Sequence, residues 1–147
     1  MTLSDEVIST LTAEITKIYE SNLTESVLKR LDSFGYTSTQ DDVFVIGFSV
    51  QKVENSIKNE CNISNIPEGL ICAAVDMVCG EILRVKYSTG KLTLDDLDLD
   101  GVIASVSAGD TSVSFDKTTS DDVKFNALLQ MLTDRKGDLV CYRRIRW

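Results

Sequence analysis

The run Leu70, Ile71, Ala74, Val78, Ile82 and Val85 constrains this chain more than any other feature. Apolar residues at three- and four-residue steps mark one face of an α-helix. Here the flanking positions are apolar too: Cys72, Ala73, Val75 and Cys79 leave little polar surface before Glu81. A helix that is apolar almost all round has to be surrounded by other elements. The pattern predicts a central helix over 67–87. Pro67, the single proline, suits its first turn, where a missing N–H costs no hydrogen bond. Gly90 suits its end.

Weaker stripes stand on both sides. Leu3, Val7, Ile8, Leu11, Ile15, Ile18 and Tyr19 share one face of an amphipathic helix, and Val27, Leu28, Leu31 and Phe34 share another. Thr24 suits an N-cap and Gly35 a C-terminal stop for the second. The sequence leaves open whether residues 1–34 form one helix or two. Thr39 with Asp42 resembles a capping box with Asp in place of Glu. It opens a helix over 41–60 whose seam is Val43, Ile46, Val50, Val53 and Ile57. Phe44, Val45 and Phe48 widen the apolar surface of this helix beyond one face. Either it is deeply buried or its second face meets another chain. Gly47 within it permits a close helix approach.

The period then changes. Val102, Ala104 and Val106, and later Val113 and Phe115, alternate with Ile103, Ser105, Ser107, Ser112 and Ser114 around Gly109-Asp110. Two short strands about a turn predict a β-hairpin. A lone hairpin is marginal in water, so it must pack on the helices or pair with another chain. Ser120, Asp121 and Asp122 open a last helix with the stripe Phe125, Leu128, Leu129 and Leu132, stopped by Gly137. Leu139–Tyr142 reads as a short strand or an extended arm. The expected fold class is mainly α: a bundle of four to five helices with one β-hairpin inserted between the central and last helix. It forms a single domain over 1–147, with 138–147 as an extended C-terminal arm. A chain of 147 residues buries a core without staples.

Several chemistries have no residues to carry them. There is no histidine, which removes Ser–His–Asp and Cys–His catalysis and histidine-ligated metals. Cys61, Cys72, Cys79 and Cys141 include no CxxC pair. Cys72 and Cys79 share a helix face, so free, buried thiols are expected. Asp96-Leu97-Asp98-Leu99-Asp100-Gly101 matches the opening of a calcium loop. Position twelve is Ser107 where the bidentate Glu belongs, so an acidic, solvated connection is the better reading. Asp41/Asp42 and Asp121/Asp122 both begin helices, and the helix dipole accounts for them. No phosphate loop and no nucleophile elbow is present. The expectation is no enzyme, no cofactor and no metal. No apolar run approaches the ~20 residues of a membrane span, and the acidic start predicts no secretory signal.

Charge is unevenly placed on a chain of net −8. Residues 135–147 sum to +4 and residues 1–134 to −12. The body repels nucleic acid, while the tip seeks an acidic surface or folds back on its own body. Tyr142, Arg143, Arg144, Ile145, Arg146 and Trp147 combine residue types that concentrate at binding hot spots. Docking on protein is favoured over nucleic acid for this stretch.

The segments Gly47–Asn62, Ile66–Leu70, Ala74–Leu83, Gly109–Phe115 and Asp138–Trp147 resemble the head–tail connector (adaptor, or head-completion) proteins of tailed phages and of Gram-positive prophages. The resemblance implies a small, mainly helical subunit with a β-hairpin. It implies a closed ring, commonly dodecameric, beneath the portal, which extends the DNA channel and catalyses nothing. The implied partners are other copies of the chain, the portal protein and the next connector or tail-completion protein. DNA would pass through without specific binding, and no membrane is involved. The implied place is the virion head–tail junction, reached from the host cytoplasm during assembly. The ring interface is expected at Phe44, Phe48, Val113 and Phe115, and the portal or neighbour contact at Tyr142–Trp147. Alternatives are another virion joining part, such as a stopper or tail-completion protein, or a small nucleic-acid-binding regulator.

Overall fold

The central stripe does form a helix, and the other elements gather round it. The computed structural model describes residues 4–106 and 119–145. In chain order the helices are α1 (Asp5–Thr16), α2 (Thr24–Ser33), α3 (Val43–Cys61), α4 (Ile71–Ser88), α5 (Leu99–Val106), α6 (Asp121–Thr133) and α7 (Lys136–Val140). Short 3₁₀ turns at Gln40–Asp42 and Glu68–Leu70 lead into α3 and α4. The protein is mainly helical. No described helix is long and apolar enough to cross a membrane.

α4 touches α2, α3 and α6, while α1 rests on α2 and α3 and α5 rests on α6. Ala74, Val78, Cys79, Ile82 and Leu83 are fully enclosed. They meet Val27, Leu28 and Leu31 of α2, Ile46, Val50 and Ile57 of α3, and Phe125, Leu128 and Leu132 of α6 in one core. Gly80 sets the closest approach. A Cβ there would lie 2.7 Å from Thr133 Cγ2, so α6 could not sit where it does.

The helix ends follow the sequence signals closely. Past α2, the N–H of Tyr36 bonds Leu31 O at 3.1 Å and that of Gly35 bonds Asp32 O at 3.0 Å. Past α4, Lys91 bonds Lys86 O at 2.9 Å and Gly90 bonds Tyr87 O at 3.1 Å. Both are Schellman closures, with Gly35 at φ 89 and Gly90 at φ 74 in the left-handed region. Ser120 Oγ accepts from the Val123 N–H at 3.4 Å and caps α6 as expected. The expected capping box also forms, with the Thr39 N–H donating to Asp42 Oδ2 at 3.0 Å.

Other expectations are corrected. The first strand of the proposed hairpin is helix: residues 99–106 form α5, and no strand occurs among the described residues. Val102 and Ile103 are adjacent and both buried, which fits a helix wedged against α6 and not a strand with one wet face. Asp98 starts this helix, its carboxylate accepting from the Gly101 N–H at 3.3 Å and its carbonyl from Val102 at 2.8 Å. The turn at 107–111 and the second strand, with Val113 and Phe115, lie outside the described residues. Thr24 is not an N-cap. It sits inside the first turn of α2, fully buried, and Leu23 takes the cap position. Residues 4–34 are two helices, separated because Ser21 Oγ captures the Leu23 N–H at 3.1 Å. Gly137 does not stop α6, which ends at Thr133; it lies within α7. Residues 136–140 are accordingly helical, not strand or extended arm, and Leu139 is buried. All four cysteines are free, but only Cys61 and Cys79 are buried; Cys72 and Cys141 are exposed.

Candidate interaction surface

α3 carries apolar residues on more than one face, and its neighbours cover one of them. Ile46, Val50 and Ile57 are fully buried against the core. Phe44 and Phe48, one turn apart, are 65% and 55% exposed. Their rings stack on each other, with centroids 6.1 Å apart and planes 20° apart. Ile18, just past α1, is also exposed and lies on Gly47, where a Cβ would come within 3.1 Å of its Cγ2. Gly47, the residue before Phe48, thus lets Ile18 lie close against α3. Two exposed acids lie close to these residues in the chain. Asp41 precedes Phe44 by one turn and Glu20 follows Ile18 by two residues. Both are exposed, and neither has an ion-pair partner among the described residues. Of the nearby cations, Lys17 pairs with Glu14 at 3.0 Å and Lys52 with Glu81 at 2.7 Å, while Lys91 shares a cleft with Asp41.

The opposite end of α3 is built differently. Asn62 takes the left-handed conformation, φ 55, and ends the helix. The chain's C-terminal residues return to this point. The Arg144 N–H bonds Cys61 O at 2.8 Å, and Asn62 Nδ2 donates to Arg144 O at 2.9 Å. Arg143 pairs with Glu60, and the hydroxyl of Tyr142 fills the space a side chain at Gly69 would need. The Cys61 thiol donates to Leu139 O at 3.5 Å, and burial pushes this thiol up. Residues 138–145 therefore lie against the body and do not project as an arm. Their outer side is apolar and basic. Val140 and Ile145 are exposed, the latter at 78%. Lys136 shares a helix face with Val140, and the side chains of Lys136 and Arg144 have no partner among the described residues.

Two buried carboxylates fix α3 in place. Asp42 accepts from Lys86 Nζ at 2.6 Å, from the Tyr36 hydroxyl at 2.9 Å and from the Thr39 N–H. The group borders a cleft of about 820 Å³ shared with Asp41 and Lys91. Burial, and then the Asp42 charge, pushes the Tyr36 phenol up, so it keeps its proton. Glu54, only 5% exposed, forms no ion pair among the described residues. It accepts from the Tyr19 hydroxyl at 2.5 Å and from Ser21 Oγ at 2.8 Å. The Tyr19 phenol is pushed up to about 12, chiefly by that hydrogen bond and further by burial. A third acid, Asp76, joins α2 to the α6–α7 junction through Arg30 at 3.1 Å and Arg135 at 2.5 Å. In each group the carboxylate oxygens are satisfied by donors from other elements, which suits holding helices together.

The structure separates the sequence-predicted site residues. Phe44 and Phe48 stand together and exposed at one end of α3. Tyr142, Arg143, Arg144 and Ile145 stand at the other. Val113, Phe115, Arg146 and Trp147 lie outside the described residues. In the acidic stretch, Asp98 caps α5 and Asp100 pairs with Lys124 at 3.0 Å, while Leu97 and Leu99 are buried. Sequence reasoning missed Ile18 as a surface residue and missed Glu54 altogether. A signal for Glu54 existed: an acid one position past Val53, on the inner side of an otherwise apolar seam, needs donors. Comparison with family models, with curated proteins and with solved structures finds no match.

Proposed function

We propose that this chain is a structural subunit of a phage head–tail connector, one of the identical copies of a ring beneath the portal, and that it catalyses no reaction. The observation that carries the reading is the Phe44–Phe48 pair. Fully burying an aromatic side chain contributes about 1.5–3 kcal/mol, and here two stacked rings stay largely in water in the single copy. A ring supplies the missing cover at every subunit, because head-to-tail contacts repeat until they close. The resemblance of the segments 47–62, 66–70, 74–83, 109–115 and 138–147 to connector proteins points the same way. The acidic body suits a channel wall from which DNA is repelled as it passes. The basic C-terminal end suits a contact with the portal or a neighbouring copy. The portal and the next connector or tail-completion protein are the partners, and the virion head–tail junction is the place.

The test is negative-stain microscopy of the full chain mixed with the portal protein encoded beside its gene. The expected image is a ring stacked coaxially on the portal. Absence of any association with portal overturns the reading. Association with tail components alone would make the chain a tail-completion part instead. Point substitution is the right perturbation, since deleting residues 139–147 would remove buried Leu139 and disturb the fold itself.

A further inference from the structure

The two ends of α3 differ in a way that suggests what covers each. One end presents Ile18, Phe44 and Phe48, with exposed Asp41 and Glu20 near them in the chain and without an ion pair among the described residues. The other presents Val140 and Ile145 with unpaired Lys136 and Arg144. Phe44 and Cys61 are separated by about 25 Å along the helix at 1.5 Å per residue. The patches therefore cannot meet within one copy.

We propose that they meet between copies: the Phe44–Phe48 end of one subunit docks on the Val140–Ile145 end of the next. The proposal rests on the ring reading above and specifies its contact. Charge decides the pairing. An aromatic end placed on its own duplicate would bring Asp41 and Glu20 against the same acids, and a C-terminal end on its duplicate would bring Lys136 and Arg144 against the same bases. Like-charge juxtaposition disfavours both symmetric arrangements. Aromatic end on C-terminal end sets acid against base around an apolar centre, with charges at the rim and the apolar side chains enclosed. Lys91 and Lys86, the latter paired with Asp42, share the cleft with Asp41 and soften the acidic rim. Because the two surfaces are different and lie at opposite ends of one helix, each copy keeps a free end after pairing. The contact is heterologous and propagates.

The test uses sedimentation velocity on the full-length chain over a range of concentration, with Phe48→Asp and Ile145→Asp. Both positions are exposed, and a thermal melt of each variant checks that the fold survives. The wild type is expected to grow past the dimer as concentration rises, and less so at high salt. Each variant alone should self-associate at least about tenfold more weakly, the scale of a hot-spot residue. An equimolar mixture of the two should form dimers and nothing larger. Ile145→Asp still offers its aromatic end and Phe48→Asp its C-terminal end, and one intact contact remains. If Ile145→Asp assembles like the wild type, the aromatic end meets some other surface; the pairing is overturned while the ring reading stands. If the wild type stays monomeric up to millimolar concentration, a second copy is not the occupant. The pairing then falls, and the portal experiment decides the ring reading separately.

Discussion

Large apolar side chains stand on both the inner and the outer side of α3, in opposite surroundings. Ile46, Val50 and Ile57 are sealed by neighbouring helices, whereas Phe44 and Phe48 stack on each other in water. Composition determines how much surface a helix needs covered. The number of helices the chain can lay against it determines how much is covered in one copy. α1, α4 and α7 reach α3 from the core side and at its end. Phe44 and Phe48 stay 65% and 55% exposed beside these neighbours. The inner face answers for the fold of a subunit, and the outer face is the one we propose for association.

The inner side should be fragile. Lys86→Met strands the Asp42 charge in a buried site and should cost about 3–5 kcal/mol in denaturant melts. Adding Asp42→Asn should recover part of this, because no charge is then left alone. A loss below 1 kcal/mol, on the order of an exposed pair, would mean the pair does not hold the start of α3 to α4. Ile57→Ala opens a cavity in the core and should cost about 2–4 kcal/mol; a surface-like value would place the residue outside the core. Tyr19→Phe removes one of the two hydroxyls that satisfy Glu54 and should cost about 1.5 kcal/mol, the scale of a hydrogen bond to a charged group.

The same tyrosine gives a pH signature. Its pKa rises from 10.0 in the free side chain to about 12 in the fold. Its contribution to stability is therefore fully present below pH 10 and is lost as the pH climbs from 10 to about 12. Alkaline thermal melts should show a decline over that window that is smaller in Tyr19→Phe. An identical decline in the variant would remove Tyr19 as its source. The outer face should give the smallest effect on the subunit. Phe44→Ser with Phe48→Ser should change stability by no more than about 0.5 kcal/mol, as surface substitutions do, while abolishing association. A large loss of stability would show that both faces serve the fold.

The helical skeleton was legible wherever the apolar period ran for several turns. α1, α2, α3, α4 and α6 stand where their stripes placed them, and Gly35, Gly90, Ser120 and the Thr39–Asp42 box mark ends as expected. α5 was misread because Val102, Ala104 and Val106 alternate over a stretch too short to separate two periods, and burial of Ile103 beside Val102 is a tertiary fact. α7 is a single short helix containing Gly137, with no propensity signal to announce it. The surplus apolar face of α3 was visible in Phe44 and Phe48, since covering it needs more helices than the pattern supplies. The path of the C-terminal residues was not visible. It depends on backbone bonds between Arg144 and Cys61, and backbone groups look alike in every sequence.

Hydroxyl-radical footprinting of the full chain, free and assembled with portal, tests the central claim most directly. In the free subunit Phe44, Phe48 and Ile145 should be oxidised readily, as their exposure dictates. In the assembly the account predicts that these three become protected together, while Val123, exposed on α6 and no part of either patch, reacts as before. Phe44 and Phe48 remaining as reactive in the assembly as in the free subunit would contradict it.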